Sequence, residues 1–456
     1  MTTTKYPPGP RHRPGIVNML MRQVKQADFH LNLARKYGDI AHFKFGPVGM
    51  YLISHPNDIR DVLVISNKKF VKLGKRLRGQ QMFRALLGNG LLLSEDEFHL
   101  RQRRLIQPAF HRQRIAGYAK VMADYAARTN ERWRRLPVGA EFNMAEEMMQ
   151  LTLSIVGQTL FDADVEKDTP EVGQAMTELF TLFNRTISPV HVLLDKLRPG
   201  AGDRFQQARG KIDDIIYRTI KEHRASGDDR GDLLSMLLSA QDEEGGTGGM
   251  SDEQVRDEAI TLFLAGHETT ALALTWTWYL LAQHPDIESK LHAELDEVLG
   301  DRPPSFEDVP RLKYAEKVFS EVLRLYPPAW LISRTLREEH EIGGYRLAPE
   351  SVLLISPYVV HRDPRYYPDP FKFDPERWTP EAKEARPKFT YFPFGGGNRI
   401  CIGESFAWME AILILATLAQ TWRPRLVTNQ KVKPQAMITL RPKHGVKMAL
   451  EIRNGR

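Results

Sequence analysis

Cysteine is almost missing from this chain: Cys401 is the only one among 456 residues. A lone thiol rules out an internal disulfide and an internal iron–sulfur cluster, which takes about four thiolates. It fits a reducing compartment, so a soluble, cytoplasmic protein is expected. An apolar leader is missing too. Met1-Thr2-Thr3-Thr4-Lys5-Tyr6-Pro7-Pro8-Gly9-Pro10 has no hydrophobic stretch, which argues against a signal peptide or a membrane anchor. Long hydrophobic runs are scarce. Thr261–Gln283 spans 23 residues with Glu268 as its only fixed charge, close to bilayer length, but its central Gly266-His267-Glu268-Thr269-Thr270 would be costly in lipid. A helix buried through a large protein accounts for both. The net charge is +7, yet zinc spacings, RNP motifs and basic heptads are absent and the arginines are scattered. No nucleic-acid partner is expected.

Apolar residues make up 42% of the chain, enough to fill one large core. No composition break, repeat or Ser/Pro linker divides it, and the Gly-rich Glu243–Gly249 is short enough for a surface loop. A single domain over residues 1–456 is therefore expected. Helical periodicity dominates. His99–Phe110, Tyr118–Arg135, Met144–Phe161, Glu171–Ile187, Asp203–Arg224 and Ser251–Gln283 all read as helices. Gln254, three residues after Ser251, suggests a capping box. The helix it opens would run about 50 Å and stop at Pro285. Strand signals are fewer: Ile40–Phe45 and Val48–Ser54 read as a hairpin, Ser351–Ser356 and Ala436–Leu440 as later strands. The expected fold class is mainly α with a small β part.

The single cysteine has informative neighbours, Phe394-Gly395-Gly396-Gly397-Asn398-Arg399-Ile400-Cys401-Ile402-Gly403. Three consecutive glycines let the backbone approach a flat object that any Cβ would push away. The apolar run Glu404–Gln420 reads as a helix, so Cys401 stands just before a helix N-terminus, where backbone N–H groups and the macrodipole favour thiolate over thiol. Thiolate is the form that binds iron. A small buried hydrophobe is the other reading of a free cysteine, and the residues alone leave both open.

The spacing Phe-x-x-Gly-x-Arg-x-Cys-x-Gly, carried by Phe394, Gly397, Arg399, Cys401 and Gly403, resembles the haem-binding signature of the cytochrome P450 monooxygenases. The resemblance implies a helix-rich lobe and a smaller β-rich lobe around a buried haem b (iron protoporphyrin IX). Cys401 would be the axial iron ligand, pushing electron density toward bound oxygen.

Four further constellations follow in order. Ala265-Gly266-His267-Glu268-Thr269-Thr270 looks like the family's oxygen-activation motif. Under that resemblance Gly266 opens a groove for dioxygen, Thr269 holds a water or reduced oxygen, and Glu268 feeds protons from solvent. The bland reading is close helix packing at Gly266, with Thr269 bonding back to a carbonyl four residues earlier. Glu321-Val322-Leu323-Arg324 has the Glu-x-x-Arg spacing, and Pro375-Glu376-Arg377-Trp378 supplies a second arginine. In the family these form a buried structural network, and Trp378 stands where Phe is usual. His99-Leu100-Arg101-Gln102-Arg103 resembles the family's Trp-x-x-x-Arg helix with His for Trp. His99, Arg103, Arg334 and Arg399 match the positions that hold the haem propionates. A surface charge is the alternative for each.

The resemblance runs over essentially the whole chain. It implies a haem-thiolate monooxygenase that inserts one atom of O2 into a hydrophobic small molecule, by hydroxylation or epoxidation. No flavin domain is present, so electrons would come from a separate ferredoxin or flavodoxin with its NAD(P)H-dependent reductase. Arg101, Arg104, Arg112 and Arg114 would form a basic docking face for that acidic donor. A monomer is expected. Loss of the acid–threonine pair would have suggested a peroxide-driven relative, and an incomplete proton relay a haem sensor or carrier. The positions the family places around substrate are Leu92, Phe180, Phe183, Ala329, Trp330, Leu331, Met437 and Ile438, all apolar.

Overall fold

The structure, a computed structural model, describes residues 6–10, 26–45, 48–72, 79–161, 178, 201–227, 230–240 and 248–453. The predicted helix Glu171–Ile187, with Phe180 and Phe183, lies outside the described residues except at residue 178, which is helical.

In chain order the first elements are α1 (Gln26–Tyr37), β1 (Ile40–Phe45), β2 (Val48–Ile53), α2 (Pro56–Arg60), β3 (Phe70–Val71) and α3 (Gly79–Leu87). Then come α4 (Asp96–Ile106), α5 (Arg112–Arg134), β4 (Glu141–Asn143), α6 (Met144–Phe161), α7 (Ala201–Ser226), α8 (Leu233–Ser239) and α9 (Asp252–Leu281). They are followed by α10 (Pro285–Leu299), α11 (Lys313–Leu325), β5 (Ile332–Leu336), β6 (His340–Ile342), β7 (Tyr345–Leu347) and β8 (Val352–Ile355). The chain closes with α12 (Pro357–Val360), α13 (Pro380–Ala385), α14 (Glu404–Ala419), β9 (Arg425–Leu426), β10 (Pro434–Ala436), β11 (Leu440–Pro442) and β12 (Lys447–Ala449). The outcome is mainly α with small sheets, as expected.

The chain falls into two compact units. The first comprises Met1–Gln80, Ser320–Cys401 and Pro434–Lys443. Its five-stranded sheet has the order β1-β2-β8-β5-β3, with β2 and β8 parallel and the other pairs antiparallel. All four residues of β8, Val-Leu-Leu-Ile, are buried because the strand has neighbours on both sides and cover on both faces. Val352 and Leu354 pack with Leu33, Phe43 and Leu52. Leu353 and Ile355 turn to the opposite face and pack with Ile53, Ile59 and Val62, the period-two alternation of a strand.

The expected strand Ala436–Leu440 is instead the tip of a hairpin. Ala436 pairs with Leu440, so Met437–Thr439 form the turn. The Met437 amide donates within the turn to the Thr439 carbonyl at 3.0 Å, the Trp330 indole donates to the Met437 carbonyl at 2.9 Å, and the amide of the strand residue Leu440 donates to the Pro328 carbonyl at 3.0 Å.

The second unit comprises Gln81–Phe319, Ile402–Lys433 and His444–Arg456. It contains α9, whose 30 residues rise about 45 Å. The capping box is present in both directions: the Gln254 amide donates to Ser251 Oγ at 3.2 Å and the Ser251 amide to Gln254 Oε1 at 3.0 Å. The helix ends at Leu281, short of Pro285, which instead opens α10. A first-turn proline loses no hydrogen bond there. Around most of its circumference α9 is apolar and buried, as a helix running through a core must be. Thr275 and Thr277 hide their hydroxyls by donating to carbonyls four residues back, at 2.7 and 2.8 Å. Among the described residues no helix is long and apolar enough to cross a membrane.

Candidate functional site

In the first unit, the loop that carries Cys401 is closed by its own backbone. The Cys401 amide donates to the Phe394 carbonyl at 3.0 Å, and the Ile400 amide to the Gly397 carbonyl at 3.1 Å. The thiol is exposed. A small-hydrophobe role requires burial, so this observation favours the ligand reading of Cys401. Three residues later Glu404 begins α14, whose N-terminus lacks a side-chain cap. Two of the glycines are also required by the protein itself. Gly397 has φ +70°, and a Cβ there would overlap the Leu63 carbonyl; a Cβ on Gly396 would run into the Phe389 ring. At these two positions the backbone comes close to other parts of the first unit. Arg399 closes the short 3₁₀ turn of this loop, Phe394 is half-buried, and Arg334 sits buried in β5 paired with Leu353.

The Glu321 network holds this loop from beneath. Glu321 and Arg324 are fully buried and doubly bonded, both contacts at 2.7 Å. A buried ion pair is tolerable only when its remaining donors and acceptors are satisfied. Here Arg324 also donates to the carbonyls of His361, Pro370 and Lys372. Arg377 contributes a longer ionic contact, its Nε 3.5 Å from Glu321. The Trp378 indole adds what the sequence reading missed, a donor to Glu321 Oε2 at 2.9 Å. Phe in its place could pack but not donate. His361 was missed too. Burial among arginines holds its imidazole well below its usual pKa, and its Nε2 accepts from the Phe392 amide at 3.0 Å. Glu321, Arg324, His361 and Phe392 thus form a chain of contacts leading to Phe394 and the cysteine loop. Nothing local in the sequence around His361 announced this.

The second unit contributes α9 and α4. In the middle of α9 the buried circumference breaks: Ala265 is exposed and Leu264, Gly266 and Thr269 are half-buried, whereas His267, Glu268 and Thr270 are buried. Residues 265 and 269 share a face because they are four apart. Thr269 Oγ1 donates to the Ala265 carbonyl at 2.6 Å, the bland arrangement foreseen for it; the hydroxyl oxygen keeps acceptor capacity. Glu268 lies about 100° further round the helix, only 2% exposed, so it does not itself meet solvent. A Cβ on Gly266 would press on Val156 Cγ2 of α6 at 3.3 Å, as the close-packing reading of this glycine requires. His267 ties the same two helices, its Nε2 donating to the Met149 carbonyl at 3.0 Å, and burial pushes its pKa down to about 4.

On α4, His99 is buried and Arg103, one turn on, is half-buried. The four arginines expected to dock the electron donor differ in their surroundings. Arg101 donates to the Gly248 and Gly249 carbonyls at 3.0 and 3.3 Å. Arg114 lines a cavity of about 530 Å³ together with Arg230 and Tyr118. Arg112 is exposed, with its guanidinium over the Phe306 ring at 5.9 Å. Arg104 is exposed. Among the residues assigned to substrate, Trp330 is a correction: it is 2% exposed and stacks on His30 at 5.6 Å in the core of the first unit. Ala329 is exposed, and Leu331, Met437 and Ile438 are half-buried.

The family model for Cytochrome P450 matches residues 7–448. Among curated proteins, the chain is 44% identical over 408 residues to "Cyclooctatin synthase" of Streptomyces melanosporofaciens, covering 89% of this chain and 87% of the relative. It is 37% identical to "Cyclooctat-9-en-7-ol 5-monooxygenase" of the same organism, covering 86% and 83%. It is 34% identical to "Pentalenene oxygenase" of Streptomyces avermitilis, covering 93% of each. An exposed thiol in the signature loop, the buried Glu–Arg network behind it and relatives aligned nearly end to end agree: this chain belongs to the cytochrome P450 family and is a haem-dependent monooxygenase.

Proposed function

We propose that residues 1–456 form one haem domain that hydroxylates or epoxidises a cyclic terpenoid in the cytoplasm, acting as a monomer. The substrate class rests on the relatives, two of which are named for oxygenating pentalenene and cyclooctat-9-en-7-ol. Apolar Leu92, Leu331, Met437 and Ile438 suit such a molecule.

The residues fit haem b. Cys401 offers an exposed sulfur at the mouth of a closed loop, the donor type that a thiolate-ligated haem requires. Arg334, Arg399, Arg103 and His99 supply cations and N–H donors for two propionates. Bound haem supplies the activation of dioxygen. The chain's own part is to hold substrate in apolar surroundings, exclude bulk water and deliver protons. Ala265 and Thr269 present the open face of α9, and the Thr269 hydroxyl can accept from a water while donating to the Ala265 carbonyl. Glu268 stands next to it as a buried acid that passes protons inward from neighbouring groups. Gly266 keeps α6 and α9 close, and so fixes where Thr269 stands. Separate ferredoxin or flavodoxin, with an NAD(P)H-dependent reductase, supplies the electrons, and exposed Arg104 and Arg112 meet it.

The observation that carries the ligand assignment is the exposed Cys401 thiol. Its test is the ferrous carbonyl spectrum: thiolate absorption in the wild type, lost in Cys401→Ser. A histidine-type spectrum in the wild type would overturn the assignment.

A further inference from the structure

Two consecutive acids near the start of α9, Asp257 and Glu258, have no part in the chemistry above, yet both grip the chain some 167 residues away. The Asn89 amide donates to Asp257 Oδ2 at 2.7 Å, and the Leu91 amide to Glu258 Oε2 at 2.8 Å. The other Glu258 oxygen accepts from the Gln102 side chain of α4 at 3.0 Å. Glu258 is fully buried. Burial pushes its carboxyl up to about 7 while the two N–H donors pull the other way. With an N–H aimed at each oxygen, the geometry suits the anion. The loop is shaped for the contact: a Cβ on Gly90 would overlap the Thr261 hydroxyl and the Asp257 carbonyl. Asp257 is in turn held by Arg256, whose guanidinium donates to it at 2.8 Å and also pairs with Asp213 of α7.

These contacts fix α4 in rotation. Successive residues lie about 100° apart around a helix, so Arg101 stands opposite His99 and Arg103, and Gln102 stands between the two faces. Arg101 is bound to the Gly248 and Gly249 carbonyls just ahead of α9, and Gln102 is bound to Glu258. With two sides pinned, the His99–Arg103 face has one direction left to point.

We propose that Glu258 is a positioning residue: by latching Leu91 and Gln102 to α9 it orients α4 so that Arg103 meets a haem propionate. This rests on the propionate role proposed above for Arg103. Substitution at Glu258 should therefore loosen the haem through Arg103, although Glu258 itself lies on another helix and is bonded to the Leu91 amide and the Gln102 side chain.

The test uses the holoprotein and two readouts other than turnover. Amide hydrogen exchange reports the latch: in Glu258→Leu the Leu91 amide should exchange at least about tenfold faster, as for loss of a hydrogen bond to a buried charge, with Glu258→Gln in between because its amide oxygen still accepts one bond. Haem transfer to apomyoglobin reports the positioning. Glu258→Leu and Arg103→Leu should each release haem about tenfold faster, and the double variant no faster than Arg103→Leu alone, since coupled residues are not additive. Additive rates, or a Leu91 amide as protected in Glu258→Leu as in the wild type, would overturn the proposal. Unchanged haem release in Arg103→Leu, with the latch still visible by exchange, would instead refute the propionate role of Arg103.

Discussion

Glu410 offers a quantitative test of how the second unit is built. It lies on α14 with no exposed surface, and neither carboxyl oxygen reaches a partner of ordinary hydrogen-bond geometry. Burial pushes its pKa from 4.5 up to about 8, offset in part by the Thr270 hydroxyl of α9. The native state therefore keeps a proton that the unfolded chain releases above about pH 4.5. Stability from this group is fully present below that pH and falls as pH rises toward 8, by about 1.4 kcal/mol per pH unit. Between pH 5 and 8 the loss is about 4 kcal/mol. Glu410→Met keeps length and flexibility while removing the titration. Urea unfolding of both proteins from pH 5 to 8 should show the variant gaining on the wild type by about that amount. His30, His267 and His292, each held near 4 by burial, impose the opposite slope below about pH 6.5, but they do so in both proteins and cancel in the difference. A difference that stays flat across this range would refute a neutral, partner-poor Glu410.

Thr269→Ala should leave substrate binding and haem content intact while diverting NADPH consumption from product to hydrogen peroxide; unchanged coupling would remove Thr269 from proton delivery. Trp378→Phe should cost about 2 kcal/mol in urea, the range for a hydrogen bond to a charged group, with the ferrous carbonyl spectrum unaltered. Equal stability would mean that the indole contact to Glu321 contributes nothing. Arg104→Glu and Arg112→Glu should slow reduction by a ferredoxin and flatten its salt dependence, because opposite charges steer encounter within a screening length of about 8 Å at physiological salt. Rates indifferent to salt and to both substitutions would dismiss the docking role.

What the sequence determined by itself is local or carried by a contiguous motif. The Ser251–Gln254 capping box, the span Met144–Phe161 and the strands around Tyr51 and Leu353 follow from hydrogen bonds and periodicities within a few residues of each other, and the structure reproduces them. The Cys401 signature, Glu321 with Arg324, and the Ala265–Thr270 run were legible as strings, and the family follows from them. Tertiary structure decided the rest. It assigned Gly396 and Gly397 to contacts with Phe389 and Leu63, and Gly266 to Val156. It turned Met437–Thr439 into a hairpin tip and buried Trp330 in the core. It recruited Trp378 and His361 to the cysteine loop's support, and it joined Glu258 to Leu91 and Gln102. Each of these depends on which distant groups share a desolvated space. The cost of an unpaired buried polar atom or an overlapping Cβ is set there by partners that no sequence window contains.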